Sequence, residues 1–247
     1  MKAFTDLIFT ADFFYSILRV TTPLLFASMG AVVSDVAGVP NIALEGMMLI
    51  AAFAGMFFSY LFDSAVAGLL FAVLFAVLAA SVLAFFTLYY KTNIILGGIA
   101  INSLASGGTI FFLYLVAHDK GTSVSLASKV LPSVTIPVIE SIPVIGPAIS
   151  GHTVLTYLAT LSVVFTFFLL KRTSLGWHIR AVGEKKEAAD SVGISVVKTQ
   201  AIALIISGVM CGFGGAFMTL GYVSWFSRDM VSGRGWIALA AEAMGLQ

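Results

Sequence analysis

Thirty residues, 171–200 (KRTSLGWHIRAVGEKKEAADSVGISVVKTQ), hold six of the thirteen lysines and arginines of a 247-residue chain. Long apolar runs flank them on both sides. The chemistry such a stretch offers is recognition. Its middle, residues 183–193, predicts a short helix: Glu184 and Glu187 fall in the first turn, where acids suit the positive end of the helix dipole. Ala181, Ala188 and Val192 recur at helical spacing as a small apolar face. Gly193 is a natural stop, because glycine takes the left-handed C′ conformation without strain. A helix of roughly ten residues is about 15 Å long, too short to cross a bilayer and well shaped to dock a soluble partner. The plainer alternative is a charged loop that only sets topology.

Other polar groups within apolar sequence are few. Asn41 is placed to cap the helix that follows it, with Glu45 in the first turns. A carboxylate in or near a membrane span is costly and ordinarily faces protein or water. Glu45 is therefore read either as a cap-and-dipole group at the interface or as a hydrogen-bond anchor beside a solute path. Asn102, in mid-segment, suits an interhelical hydrogen bond or a solute contact. His118 and His152 stand alone at segment ends, without His or Cys partners at ligand spacing, so no metal site is expected. The single cysteine, Cys211, excludes a disulfide framework. Glu45 has no sequence-evident partner for acid–base work, and no nucleophile–base pair is visible. No catalytic residue is expected, and the chain does not read as an enzyme.

The elements that must position these groups follow from composition. The chain is 60% hydrophobic and 10% charged, with mean hydropathy +1.05, where a soluble domain carries about 25% charged residues. This is the composition of an integral membrane protein. A net charge of +1 gives no electrostatic case for a nucleic-acid partner. Asp6 and Asp12, with no small-residue cleavage pattern after a basic start, argue that the first apolar segment is retained. Spanning the hydrocarbon core takes about 20 apolar residues, and six such runs are visible. The first is 7–33, carrying Asp12 and Arg19, its best part being 20–33 with Pro23 near the start. The others are 41–62 (with Glu45), 64–90, 92–117, 153–170 and 199–227. Residues 34–40 (SDVAGVP) break the first two.

Pro132, Pro137, Pro143 and Pro147 exclude a continuous helix in 118–151, and the apolar stretch 134–149 suggests partial insertion or packing on the bundle. Glycines along 92–117 and 199–227 form close-packing faces. Arg228, Asp229 and Arg234 mark the next surface, and a run opening at Trp236 starts a seventh span that ends after twelve residues, Glu242 among them. The fold class is thus an all-α polytopic bundle of about six complete spans plus an incomplete seventh. By the positive-inside rule the basic stretch is cytoplasmic. Counting back puts Lys91 inside, and the proline-rich connection and the N-terminus outside. If 34–40 were a mid-membrane break in one span, the N-terminal side would flip.

Two stretches, GVPNIALEGMMLIAAFAG (38–55) and GWHIRAVGEKKEAADSVGISV (176–196), resemble the permease subunits of bacterial ABC importers of the simple-sugar and nucleoside type. GRGWIALAA (233–241) resembles a third stretch of that family, and the three occur in family order. The first is similar to the pattern Gly-x-x-Asn-x-x-x-Glu-Gly-Met-Met-Leu, with Asn41, Glu45 and Gly46 in the form of the nucleoside-type branch. The resemblance implies a single permease domain over 1–247, C-terminally shorter than the family usually shows, with 171–200 as its coupling loop. It implies that the second stretch is a coupling helix docking into a groove on an ATP-binding subunit. Arg180, Gly183, Ala188, Ala189 and Gly193 match that second stretch's family pattern, Arg-Ala-x-Gly-x-x-x-x-Ala-Ala-x-x-x-Gly-Ile, and Glu184 and Asp190 lie within it.

The partners implied are ABC ATPase subunits, a second permease subunit (a like or unlike chain) and an extracytoplasmic solute-binding lipoprotein. The site implied is the bacterial plasma membrane. No Walker A pattern occurs, so ATP is bound by the partners and the chain needs no cofactor of its own. For a nucleoside path, Phe53, Phe57 and Asn102 offer aromatic faces and a polar group, with ordinary lipid-side packing the competing role for each Phe. An ion-driven secondary transporter is the alternative function. It calls for more buried acids and a repeat between halves, and no convincing repeat is present. An intramembrane enzyme would need paired groups at one depth, and none is evident.

Overall fold

The computed structural model describes residues 10–126, 128–135 and 149–245. The six apolar runs are six helices long and apolar enough to cross a membrane. They are α1 (Ala11–Val36), α2 (Leu44–Leu61), α3 (Ala65–Ala84), α4 (Ile94–Ala117), α5 (Val154–Arg172) and α8 (Val196–Phe217). One π-helical turn extends α3 to Tyr89, and another extends α8 to Tyr222. Two short helices, α6 (Ser174–Glu184) and α7 (Lys186–Ser191), lie between α5 and α8, and α9 (Arg234–Gly245) follows α8. A two-residue antiparallel pairing joins β1 (Ser133–Val134) to β2 (His152–Thr153). Of the connection expected to pack on the bundle, Pro137, Pro143, Pro147 and most of 134–149 lie outside the described residues.

Helix α8 sits at the centre, two-thirds buried over its most apolar stretch, whereas α4 is about one-fifth buried and stands at the edge. Small residues explain the centre. A Cβ on Gly212 would stand 2.7 Å from Val73 Cα of α3. One on Gly208 would stand 2.6 Å from Ala80 Cβ, also of α3, and one on Gly214 would meet Pro23 O of α1 at 3.2 Å. Gly215 is closed by the Met48 carbonyl and Ala51 of α2. Three helices therefore approach α8 backbone to backbone. In lipid, where apolar burial drives nothing, such close packing supplies the association.

Helix α1 is longer than 20–33, the best part of the run expected for it, and ends three residues past that run. Its 26 residues take in Asp12 and Arg19, and Pro23 lies well inside the helix instead of near its start. Arg19 is accommodated because its guanidinium reaches the end of α8: Nη2 donates to Tyr222 O at 2.8 Å and the group lies 4.0 Å from the Tyr222 ring centre. At the opposite end of α1, Val36 abuts Gly183 of α6. These contacts define a far end (Arg19, Tyr222) and a basic end (Val36, α6, α7).

The run expected to open at Trp236 is the helix α9, and it packs on α1. Ser28 Oγ donates to Ala238 O at 3.3 Å, and Glu242 stands beside Asp35. Helix α9 thus runs along α1 toward the basic end, and Glu242 faces protein, only 8% exposed. Residues 223–233 leave the far end and lead back to the start of α9; Arg228 and Asp229 on this segment are exposed, as residues that mark a surface, and Arg234 is half-buried. The expected span 199–227 ends at Tyr222: past it the backbone is extended at Val223.

Candidate functional site

At the basic end the expected single helix over 183–193 is two helices. Thr173 caps the first, its Oγ1 accepting from Gly176 N at 3.0 Å, and α6 runs to Glu184. Lys185 is extended (φ −153°, ψ 100°) and separates it from α7. Glu187 keeps its place in a first turn, that of α7, but Glu184 ends α6, where the dipole does not favour an acid. Gly193 takes the left-handed conformation (φ 84°) just past α7, as its position predicts. Ile179 and Val182 of α6 and Ala189 of α7 are buried against the bundle. Ala181, Ala188 and Val192 are exposed, Val192 by 74%, so the small apolar face points away from the bundle. Glu184 and Asp190 are exposed beside it, and Arg180 is held over the Trp177 ring, 5.3 Å from its centre. Gly183 belongs to the inner face. A Cβ there would overlap the Val36 carbonyl, so it admits α6 to the end of α1.

In mid-bundle three polar side chains tie four helices together. Asn41 is fully buried and is not the cap of α2; that position falls on Ala43. Its Oδ1 accepts from Ala43 N at 3.0 Å and its Nδ2 donates to Ser207 Oγ of α8 at 2.9 Å. Asn102 of α4 spans to α2: Nδ2 donates to Ile42 O at 2.9 Å and Oδ1 accepts from Gly46 N at 2.8 Å. Gly46 has to be glycine, since a Cβ would stand 2.8 Å from Asn102 Oδ1.

Glu45 reaches α9. Oε1 accepts from Gly233 N and Oε2 from Gly235 N, both at 2.7 Å. The carboxylate thereby satisfies two of the amides that open a helix and sits at the positive end of its dipole. It is a hydrogen-bond anchor whose partner lies 190 residues away in sequence.

Phe53 and Phe57 of α2 lie parallel, 6.2 Å between centres. They line a cavity of about 390 Å³ with Phe58, Phe75, Leu104 and Phe112. Thr109 also borders it, but its hydroxyl donates to Ala105 O at 2.7 Å. Such a wall offers the hydroxyls of a sugar or nucleoside no hydrogen-bond partner. Phe226, buried in the segment 223–233, meets Phe53 edge-on at 5.5 Å. Sequence reasoning missed Phe226, Gly233 and Gly235. The signal was the short glycine spacing of GRG before an apolar run, which is what a helix start held by a carboxylate requires.

The comparisons with known proteins agree with this architecture. The family model described as "Branched-chain amino acid transport system / permease component" matches residues 13–247. The guanosine ABC transporter permease protein NupQ of Bacillus subtilis is 34% identical over 238 residues, 90% of this chain and 72% of the relative. The nucleoside ABC transporter permease protein NupC of Lactococcus lactis is 31% identical over 237 residues, 93% of this chain and 74% of the relative. TsgC13 of Haloferax volcanii, an ABC transporter permease protein whose name assigns it glucose provisionally, is 33% identical over 236 residues, 94% and 70% respectively. No solved structure matches the chain at a significant level. Six apolar helices packed on a small-residue core, with two short helices exposed at the basic end, are the body of a multi-pass membrane protein, and the chain belongs to the permease-component family of ABC transporters.

Proposed function

We propose that this chain is the permease subunit of an ABC importer for nucleosides or a related sugar-like solute, seated in the plasma membrane of a bacterium. The observation that carries the reading is the exposed face Ala181, Ala188, Val192 at the basic end. It is small, apolar and rimmed by Arg180, Glu184 and Asp190, on two short helices that the bundle itself does not bury. An ATPase subunit docks on that face from the cytoplasm, and α6 transmits its motion to α1 through the Gly183–Val36 contact. Two ATPase domains drive two permease subunits, and an extracytoplasmic binding lipoprotein delivers solute to the far end, where the N-terminus also lies. ATP stays with the partners, and transport needs no acid–base pair in this chain: closure of the ATPase pair alternates the opening of the bundle. The substrate class rests on the printed names of NupQ, NupC and TsgC13. Uptake of radiolabelled guanosine into proteoliposomes holding the assembly, competed by unlabelled uridine, glucose or leucine, tests it. Competition by uridine or glucose is expected; competition by leucine alone would overturn the substrate class.

A further inference from the structure

The end of α8 and the segment after it fold around an open cleft of about 350 Å³ at the far end, lined among others by Tyr222, Trp225, Arg228, Asp229, Ser232 and Arg234. Its depth follows from α1. Arg19 stands at the level of Tyr222, and Ser28, nine residues on, stands at Ala238. Nine residues are about 14 Å of helix, and Arg234 lies about 6 Å of helix before Ala238. Arg234 therefore lies about 8 Å of helix below the level of Tyr222, while Arg228 stays near the far end, bonded to Gly121 just past α4. A charged side chain at such depth is costly against lipid and belongs on a water-filled cavity or against protein. The backbone says the same. Ser232 and Gly233 have positive φ (50° and 84°), and irregular backbone inside a membrane is tolerated where protein buries it or where it lines a cavity.

The segment is held at both ends, so the cleft is a shaped one. At its start Phe226 N donates to Ser123 Oγ at 2.8 Å, Phe226 O accepts from Ser123 N at 2.9 Å, and Arg228 N donates to Gly121 O at 2.8 Å. At its inner end Glu45 takes the Gly233 and Gly235 amides. Phe226 packs inward on Phe53, and its neighbour Trp225, on a bend, lines the cleft. Arg234 is fixed by its own bonds to Met230 O and Val231 O, at 3.2 and 2.9 Å. Arg228 and Asp229 are exposed.

We infer that this cleft, and not the phenylalanine-lined cavity, is where the chain contacts its solute, and that the solute is a hydroxyl-bearing ring compound. The inference rests on the importer reading. Trp225 and Tyr222 present aromatic faces to a base or to the apolar face of a sugar, Asp229 accepts from adjacent hydroxyls, and Arg228 donates to ring or carbonyl acceptors. Mixed charge suits a neutral polar solute better than an anion. A volume of about 350 Å³ lies at the small end of ligand pockets, roughly 300–1,000 Å³.

The test uses the complete importer assembly in proteoliposomes, with guanosine, uridine and glucose as probes. Trp225→Ala and Asp229→Asn are expected to raise the KM of ATP-driven uptake of the preferred probe at least tenfold, with Trp225→Phe near the unsubstituted value. A merely structural role for Trp225 would not give that rescue. In the same assembly a Ser232→Cys variant is expected to react with a membrane-impermeant maleimide from the far-end side and to be protected by the transported probe. The native Cys211, fully buried, is expected to stay unlabelled. Unchanged KM in both variants, or a Ser232→Cys thiol unreactive toward the reagent, sinks the cleft assignment alone. An unsubstituted assembly that takes up none of the three probes sinks the importer reading and the assignment with it.

Discussion

Glu45 accepts two amide donors with two oxygens, and that arithmetic decides what its replacements do. Glutamine keeps one acceptor and turns an NH₂ donor toward the other amide, so half the clasp is lost and one N–H is left unmet. An unsatisfied buried donor costs about 1–3 kcal/mol, and a hydrogen bond to a charged group is worth about 1.5–3. Glu45→Gln is therefore expected to lower stability by about 1–2 kcal/mol, and Glu45→Leu by more. Thermal unfolding of the purified chain in detergent checks the order; equal melting temperatures for both variants and the parent would contradict the clasp. Asn41 and Ser207 form a separate, fully buried pair. A double-mutant cycle on Asn41→Ala and Ser207→Ala is expected to show coupling of about 1 kcal/mol, and additive effects would show that their bond contributes nothing. That Asn41, Glu45 and Asn102 carry structural weight was legible, since polar groups amid apolar sequence must find partners. Their partners were not, because Gly233 and Ser207 lie far along the chain and nothing local names them.

Among the elements, the six spans were legible to within a few residues because each is a predominantly apolar run of bilayer length, with Asp12, Arg19 and Glu45 the few charges inside the first two. What escaped were elements decided by tertiary contact. The break at Lys185 has no proline to announce it, and it separates two helices that are each pinned to the bundle by their own buried residues, Val182 and Ala189. The exposure of Arg228 and Asp229 was legible from their charge; that Ser123 and Gly121 hold the start of residues 223–233 and Glu45 its inner end was not, because those partners lie far along the chain. The split has a consequence for docking. Ala188→Arg places a large charge on the exposed face of α7 while leaving the inner face alone. It is expected to abolish copurification of the ATPase subunit with the chain and to leave membrane insertion and thermal stability unchanged. Gly183→Ala should do the reverse, weakening the fold through Val36 before it touches the docking face. Retained ATPase binding in the Ala188→Arg variant would move the docking face elsewhere.

For the whole molecule, the basic end and the far end must face opposite compartments. A cysteine at position 125, introduced as Ser125→Cys, is expected to label with an impermeant reagent from outside intact cells, and one introduced as Lys186→Cys only after the cytoplasmic side is opened. Labelling of both from one side would overturn the orientation. The same two-ended design gives the transport claim its physical content: solute contact at the far end, force input through α6 and α7, and α1 running between them from Arg19 to Val36. The most direct test of that claim is guanosine uptake by the reconstituted assembly, measured with and without ATP and with ionophores that collapse every ion gradient. Uptake that requires ATP and survives the ionophores is the predicted result; uptake that persists without ATP and stops when the gradients are collapsed would contradict it.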